Sequence, residues 1–203
     1  MCCTLLVLQG SIAFGQTTSW RDTIRAPSGK FQVLQKSSQL PDNVIEELFW
    51  LQDVSTKDTI RLMKARRHDL PTPNFFWVQD NYLVFEERSY RRNSRIHLMN
   101  LSAKKIEFTT RGMIPHRENH SKSFFDKENA ILIYFVSNTD NIAPKTSLMK
   151  LSVLENMTEK IMTFSVEFDY EYPIVTLDPR TRRLTVQYTD VVSGETQTRI
   201  VGY

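Results

Sequence analysis

The stretch FFWVQDNYLVFEERSYRRNSRIHLMNLSAKKIEFTT, Phe75 to Thr110, decides the fold. It contains four short runs of aromatic, aliphatic and β-branched residues, separated by polar segments that are rich in Asn, Asp, Ser, Arg and Lys. Such runs between turn-forming residues are typical of β-strands that pair with their neighbours along the chain. The stretch therefore predicts one four-stranded antiparallel unit.

Similar units recur along the chain. A second copy spans Ser123 to Phe164, and a weaker one spans Ile174 to Tyr203. The Leu98-Met99 pair returns as Leu148-Met149, and Leu62-Met63 indicates an earlier copy. A period of about 40–50 residues with four strands per unit is typical of propeller blades. We therefore expect an all-β antiparallel meander of about four blade-like units, a small or partial β-propeller, with a β-sandwich of similar hairpins as the alternative.

The second half of the Phe75–Thr110 unit resembles the WD40-like, TolB-type propeller repeat of bacterial envelope proteins. Arg95-Ile96-His97-Leu98-Met99-Asn100-Leu101, followed by Lys104-Lys105-Ile106, carries the resemblance, and Leu177 to Leu184 loosely echoes the first half of such a blade. No copy has the Ser-Pro-Asp-Gly turn of the family; Gln79-Asp80-Asn81 and Asp126 to Asn129 occupy its place. The resemblance implies a scaffold or binding surface, because propellers carry many unrelated functions.

The composition is that of an ordinary globular protein. The chain has 203 residues, is 40% hydrophobic and carries a net charge of +3, which excludes a disordered or multi-span membrane protein. The basic residues are scattered instead of forming one stripe, so we expect no nucleic-acid partner. Both cysteines, Cys2 and Cys3, precede the body of the chain, which therefore has neither disulfides nor thiolate metal sites.

The N-terminus predicts export. Residues Cys2 to Phe14 form an uncharged apolar run, too short to span a bilayer but long enough for the core of a signal peptide. Small residues at Ala13 and Gly15 place the cleavage before Gln16, although no basic residue precedes the run. We therefore expect a signal peptide at 1–15 and a single all-β domain at 16–203, with no integral membrane segment after the leader is removed. A buried first strand or helix is the alternative.

Two clusters have metal-ligating residue types. On a strand, His116, Glu118 and His120 would share a face, and two imidazoles with a carboxylate can bind zinc or iron. The segment is polar and follows Pro115, which favours an exposed loop. The second cluster is acidic, and its carboxylates alternate with aromatic residues as on a strand with one solvated face. Calcium sites instead draw their ligands from tight loops. The members of the second cluster are Glu167, Asp169 and Glu171. We assign no metal or cofactor to either cluster.

Basic turns and aromatic runs are the remaining candidates. A hairpin with Tyr90 among its arginines could bind a polyanion or sugar phosphate, as could a second basic turn, but solvated turns explain both. The basic residues are Arg88, Arg91, Arg92, Arg95, Arg180, Arg182 and Arg183. Exposed rings would form a carbohydrate platform, although rings on strands are more often core. The rings are Trp50, Phe75, Phe76, Trp77, Phe124 and Phe125.

The sequence has none of the common catalytic motifs: no G-x-S-x-G elbow, Walker A loop or G-x-G-x-x-G. We therefore assign no catalytic residues. The leading hypothesis is an exported binding or scaffold protein, periplasmic, outer-membrane-associated or secreted, with an unknown protein or glycan partner. The alternatives are a glycan hydrolase that uses dispersed carboxylates on a β scaffold, and a β-sandwich structural or adhesion module.

Overall fold

The computed structural model describes residues 19–41, 44–67, 73–87, 94–114, 124–138, 145–164, 173–190 and 193–203. Within these ranges, strands form four antiparallel sheets, and the strands of each sheet follow one another in chain order. The expected meander of blade-like units is confirmed by this order, with four sheets in series instead of the two facing sheets of a sandwich. No helix in the described ranges has the length and hydropathy of a membrane span.

The strand bounds agree closely with the two clear sequence copies. The first sheet contains β1 (Ser19–Arg25), β2 (Phe31–Gln39), β3 (Ile45–Asp53) and β4 (Thr59–Arg67). The second contains β5 (Phe75–Val78), β6 (Tyr82–Glu87), β7 (Arg95–Asn100) and β8 (Lys105–Arg111). The third contains β9 (Phe125–Asp126), β10 (Ile131–Asn138), β11 (Lys145–Ser152) and β12 (Met157–Phe164). The fourth contains β13 (Ile174–Asp178), β14 (Arg183–Thr189) and β15 (Thr196–Gly202).

One backbone hydrogen bond recurs in all four sheets and aligns them. It joins the residue just before the second strand of a sheet to the residue just after the third strand. In the fourth sheet, these two strands are β14 and β15. The donor and acceptor pairs are Val54 and Lys30 (2.8 Å), Leu101 and Asn81 (2.8 Å), Val153 and Ala130 (2.9 Å), and Tyr203 and Arg182 (3.2 Å). These pairs define structurally equivalent positions, and they show a real internal repeat.

The Leu-Met pairs are a less reliable marker of this repeat. Leu62-Met63 lies in β4, the last strand of its sheet, whereas Leu98-Met99 lies in β7, a third strand. The earlier copy does exist, as β1 to β4, but Leu62-Met63 marks its last strand and not its third. Leu148-Met149 does lie in a third strand, β11, but two residues farther from the aligning bond than Leu98-Met99. An offset of two residues keeps side chains on the same face of a strand, which explains why the pattern recurs.

The fourth sheet differs from the prediction of four strands per unit. Among the described residues it contains three strands, β13 to β15. The aligning bond made by Tyr203 makes β15 the equivalent of the third strands β3, β7 and β11. The described fourth sheet therefore corresponds to the first three strands of a blade.

The sheets stack face to face. Alternate side chains on each inner strand point to opposite faces of its sheet, and each set packs against the sheet on that side. In β6, Leu83 and Phe85 belong to an apolar cluster shared with the first sheet. Val84, between them, belongs to a larger cluster shared with the third and fourth sheets. The ring of Phe164 stacks on Tyr188 at 5.2 Å between centroids and joins the third sheet to the fourth. The stack therefore has one continuous series of buried interfaces.

The outer faces of the two end sheets are more polar than the inner ones. In the first sheet, Gln32 pairs with Gln52 across β2 and β3, and their amides form a hydrogen bond of 2.6 Å. The equivalent pair in the second sheet is Leu83 and Met99, both buried. On the outer face of the fourth sheet, three positions are polar where the equivalent positions of the third sheet are apolar. They are Thr185, Gln187 and Thr198, in place of Ile133, Phe135 and Leu148.

The two ends of the stack have different connections. At one end, called here the tight-turn end, the strands are joined by three to five residues, as in the turn from β5 to β6. At the other, called the long-connection end, five to thirteen residues separate successive strands, as between β8 and β9. The chain also passes from one sheet to the next at the long-connection end, because the fourth strand of each four-stranded sheet runs toward that end. Binding residues concentrate on longer loops that a rigid scaffold supports.

Candidate functional site

Three polar side chains meet near the long-connection end of the second sheet. His97 on β7 lies opposite Thr109 on β8 and Phe85 on β6, while Glu87 is two residues farther along β6. The imidazole Nδ1 is 2.9 Å from Thr109 Oγ1, and Nε2 is 3.1 Å from Glu87 Oε2. We call these three residues the His97 cluster. Cross-strand register alone brings them together, because directly paired side chains share a face.

The imidazole of His97 is held tightly, whereas its partners face solvent. His97 is 8% exposed and its ring stacks on Phe85 with 4.9 Å between centroids. The Glu87 side chain is 42% exposed, and Thr109 is exposed. Glu87 and Thr109 therefore give each ring nitrogen a hydrogen-bond partner. The cluster therefore presents a hydroxyl and a carboxylate in fixed positions on a buried aromatic base.

A charged rim lies beside this cluster at the long-connection end. In the second sheet, Glu87, Arg95 and Arg111 pair in one cross-strand row, and both arginines are exposed. In the first sheet, Glu46 forms ion pairs with Lys64 Nζ at 2.6 Å and Arg66 Nε at 2.9 Å. The hydrogen bonds from Lys64 and Arg66 hold the pKa of Glu46 below its ordinary value. Glu87, Arg95 and Arg111, called here the charged rim, offer charges of both signs to a polar partner, whereas Glu46, Lys64 and Arg66 lie on the outer face of the first sheet, the face of Gln52.

The scaffold beneath the rim is locked by a buried carboxylate. Glu86 is fully buried; its Oε1 accepts a hydrogen bond from the backbone N–H of Ile114 and its Oε2 from Asn74 Nδ2, both at 3.0 Å. Asn74 precedes β5 and Ile114 follows β8, so one side chain ties together the entry and the exit of the second sheet. Next to Ile114, Met113 forms two backbone hydrogen bonds with Phe135, which join the second sheet to the third.

A second buried carboxylate joins the third and fourth sheets at the tight-turn end. Asp126 accepts hydrogen bonds from the backbone and the side chain of Asn129 and, at 2.9 Å, from Tyr203 Oη. Arg182 Nη2 also donates to Asn129 Oδ1 at 2.8 Å. Burial alone would raise the pKa of Asp126, but these hydrogen bonds hold it below its ordinary value. Burial and the adjacent carboxylate raise the pKa of Tyr203.

Several residues singled out from sequence lie outside the described ranges. These are His116, Glu118, His120, Glu167, Asp169, Glu171, Arg88, Tyr90, Arg91 and Arg92. Arg95 is described and belongs to the charged rim. In the described ranges, no group of three or more His, Cys, Asp or Glu side chains has the arrangement of a metal site.

The other predicted candidates serve packing and turns. Arg180, Arg182 and Arg183 are exposed at the β13–β14 turn, where Arg182 bonds to Asn129. The rings contribute to the core: Phe124 is 1% exposed, and Phe76 contacts Phe125 with 5.1 Å between centroids. The carbohydrate platform of exposed rings is therefore replaced by buried packing between sheets.

The His97 cluster was not anticipated from the sequence. Its residues come from three strands, and Thr109 and Glu87 resemble ordinary solvent-facing strand residues. One sequence signal could have indicated it. His97 stands between the apolar residues Ile96 and Leu98, which favours a buried strand and therefore a histidine with hydrogen-bond partners. Once strand register is known, Thr109 follows as its partner.

Comparison with known proteins identifies no family. No family model and no curated protein sequence matches the chain. Among solved structures, it is similar to the β-propeller domain of the Trilobed protease from Pyrococcus furiosus, with 12% identity and a TM-score of 0.46 over 90% of this chain and 57% of that one. It is also similar to TolB from Acinetobacter baumannii, with 13% identity and a TM-score of 0.35 over 90% of this chain and 49% of that one. The chain thus spans about half the length of these structures, and its all-β fold is shown by its own strand order.

Proposed function

We propose that this chain is an exported binding or scaffold protein of the bacterial envelope, which holds a protein or glycan partner at its long-connection end. The charged rim carries the proposal. Arg95 and Arg111 are exposed, while His97 and Glu86 are buried and hydrogen-bonded to residues of neighbouring segments. A rigid base beneath surface charges favours specific recognition, since the base itself loses little conformational entropy on binding.

The experiment is a capture assay with immobilised protein and an envelope extract, in which mass spectrometry identifies whatever is retained above a blank resin. We expect Arg95→Glu and Arg111→Glu to lose the retained partner, because each reverses a charge on the rim. The matched control is Lys105→Glu, an exposed charge on β8 next to the tight-turn end. Equal retention by all the variants would exclude the rim as the binding surface.

Export is supported by the pattern of residues 1–15 and is tested separately. N-terminal sequencing of protein recovered from the periplasm or medium should begin at Gln16. Recovered protein that still begins at Met1 would contradict the proposed leader. Retention of the partner and cleavage of the leader are independent outcomes, so either part of the proposal can fail alone.

A further inference from the structure

Two arginines lie directly opposite each other near the long-connection end of the second sheet. Arg95 of β7 pairs with Arg111 of β8, and both residues are exposed. The backbone N–H of Gly112 donates to Ser94 O at 3.0 Å, so the next pair along the ladder, Arg95 and Arg111, is of the non-hydrogen-bonded kind. Pairs of this kind are the closer ones, with Cα atoms about 4.5 Å apart. The two arginines therefore project from neighbouring points on one face.

The carboxylate in the same row is engaged elsewhere. Glu87 of β6 pairs with Arg95, so the three residues form one cross-strand row. Glu87 Oε2 lies 3.1 Å from His97 Nε2, and within the described ranges neither arginine makes an ion pair. Like charges in directly paired positions are destabilising. The row therefore holds two positive charges against one negative charge, and its net charge is positive.

His97 fixes the position of Glu87. The imidazole is buried, stacks on Phe85 and makes a hydrogen bond of 2.9 Å with Thr109 through Nδ1. An ionised carboxylate only accepts hydrogen bonds, so Nε2 is the nitrogen that donates to Glu87. This bond holds one carboxylate oxygen on the His97 side of the row, although the Glu87 side chain is 42% exposed. His97 is thus a positioning residue that limits how far Glu87 neutralises the arginines.

We propose that Arg95 and Arg111 together bind a carboxylate of a protein partner, the side chain of an aspartate or a glutamate. This inference rests on the proposed binding function and names the chemistry that the charged rim recognises. A carboxylate has two oxygens, and each can accept a charge-assisted hydrogen bond from one guanidinium. Its single negative charge also balances the net charge of the row, whereas a doubly charged phosphate would exceed it.

A protein carboxylate fits this face better than the uronate of an acidic glycan. Arginine is among the residue types enriched at protein interfaces and among the residues that contribute most to their affinity. A sugar would gain from stacking on an exposed ring, but the exposed large hydrophobic residues of the described ranges are isoleucine, leucine and methionine. The observations therefore favour an acidic protein surface as the partner.

The test uses the full chain and acetyl-glutamate amide as the probe, with the uncharged acetyl-glutamine amide as its matched control. NaCl is added to the control to equalise the ionic strength. Binding is followed by the NMR signals of the arginine Nε–H groups. We expect the glutamate probe alone to shift the signals of Arg95 and Arg111. The shifts should weaken as NaCl rises from about 20 to about 200 mM, because salt screens exposed charges.

Variants of the row test the geometry. Arg95→Gln and Arg111→Gln each remove one guanidinium and should weaken binding by about tenfold or more, the value of a hydrogen bond to a charged group. Neither should lower the Tm, because each relieves the like-charge pair. Lys105→Gln changes an exposed charge of β8 near the tight-turn end, and this matched control should bind normally. Glu87→Gln should tighten binding by about two- to fivefold, because it removes the competing negative charge.

The role of His97 is tested separately. His97→Leu releases Glu87 to pair with Arg95 and should weaken binding by about two- to fivefold. Adding Glu87→Gln to this variant should restore binding, which a merely structural role of His97 would not allow. Failure of this rescue would contradict the positioning role.

Three results would overturn the inference. The first is equal shifts with both probes, and the second is binding that both arginine variants retain. The third is binding of tetragalacturonate at Arg95 and Arg111 without binding of the glutamate probe, because the partner group would then be a uronate.

The capture assay separates this inference from the proposed function. A partner that Arg95→Glu releases, but that high salt and excess glutamate probe do not, would support binding at the rim and refute the carboxylate. Binding of the glutamate probe at Arg95 and Arg111 with no captured partner would support the carboxylate site and refute the proposed function.

Discussion

Gly112 gives the sharpest test of how the second and third sheets pack. A methyl group at this position would overlap the ring of Tyr134, coming within 2.8 Å of Cε2 and closer still to Cδ2. Non-bonded carbons prefer a separation of about 3.5–4.0 Å. Tyr134 is completely buried between the two sheets, so its ring cannot move without disturbing the interface. Gly112→Ala should therefore cost about 1–3 kcal/mol, the usual penalty for overpacking.

The effect is measured by thermal and denaturant unfolding. For a chain of this length, each kcal/mol shifts the Tm by about 2–4 °C, so we expect Gly112→Ala to lower it by several degrees. Gly202→Ala is the matched control, because its new methyl would meet only Arg182 O, at 3.9 Å. Tyr134→Leu removes the ring, and in that background Gly112→Ala should lose most of its penalty. Unaltered or increased stability of Gly112→Ala would refute this account of the packing.

The buried carboxylates give three further predictions. Tyr203→Phe should lower the free energy of unfolding by about 1.5–3 kcal/mol, the net value of one hydrogen bond to a charged group, and urea titration measures it. The folded-state pKa of Asp126 lies below the ordinary 3.8. Its ionised form therefore stabilises the fold above pH 3.8, and this stabilisation is lost as the pH falls through the folded-state pKa. Asp126→Asn should therefore flatten the loss of stability in acid, and an unchanged acid profile would argue against the assignment. Glu86→Leu leaves the buried donors of Ile114 and Asn74 without this acceptor and should cost about 1–3 kcal/mol; a Tm equal to that of the unaltered protein would contradict its role.

The fold of the middle of the chain could be predicted because its local signals agree with one another. The copies predicted at Phe75–Thr110 and Ser123–Phe164 coincide almost fully with the second and third sheets. Both sheets are buried on two faces, so their inner strands are apolar enough to stand out from the polar turns. The run Ile131 to Val136, for example, forms the centre of β10.

The first and fourth sheets were harder to predict, because each has an outer face with no neighbour among the described sheets. β1, with the sequence SWRDTIR, has too few apolar residues for local patterns to predict a strand. Leu62-Met63 was assigned to the wrong strand of a unit, since two residues cannot distinguish a third strand from a fourth. The His97 cluster depends on register across three strands, which local patterns do not fix.

The polar residues on the outer faces of the first and fourth sheets bear on how copies of this chain can meet. Gln32 and Gln52 hydrogen-bond to each other on one outer face, and Thr185, Gln187 and Thr198 line the other. If these positions were apolar, the leading face of one molecule would fit the trailing face of the next, and such head-to-tail contacts propagate into fibres when they do not close. The amides and hydroxyls at these positions oppose such stacking between copies, while the exposed Ile200, which pairs with Thr185, is the apolar residue on the same face of the fourth sheet that would favour it.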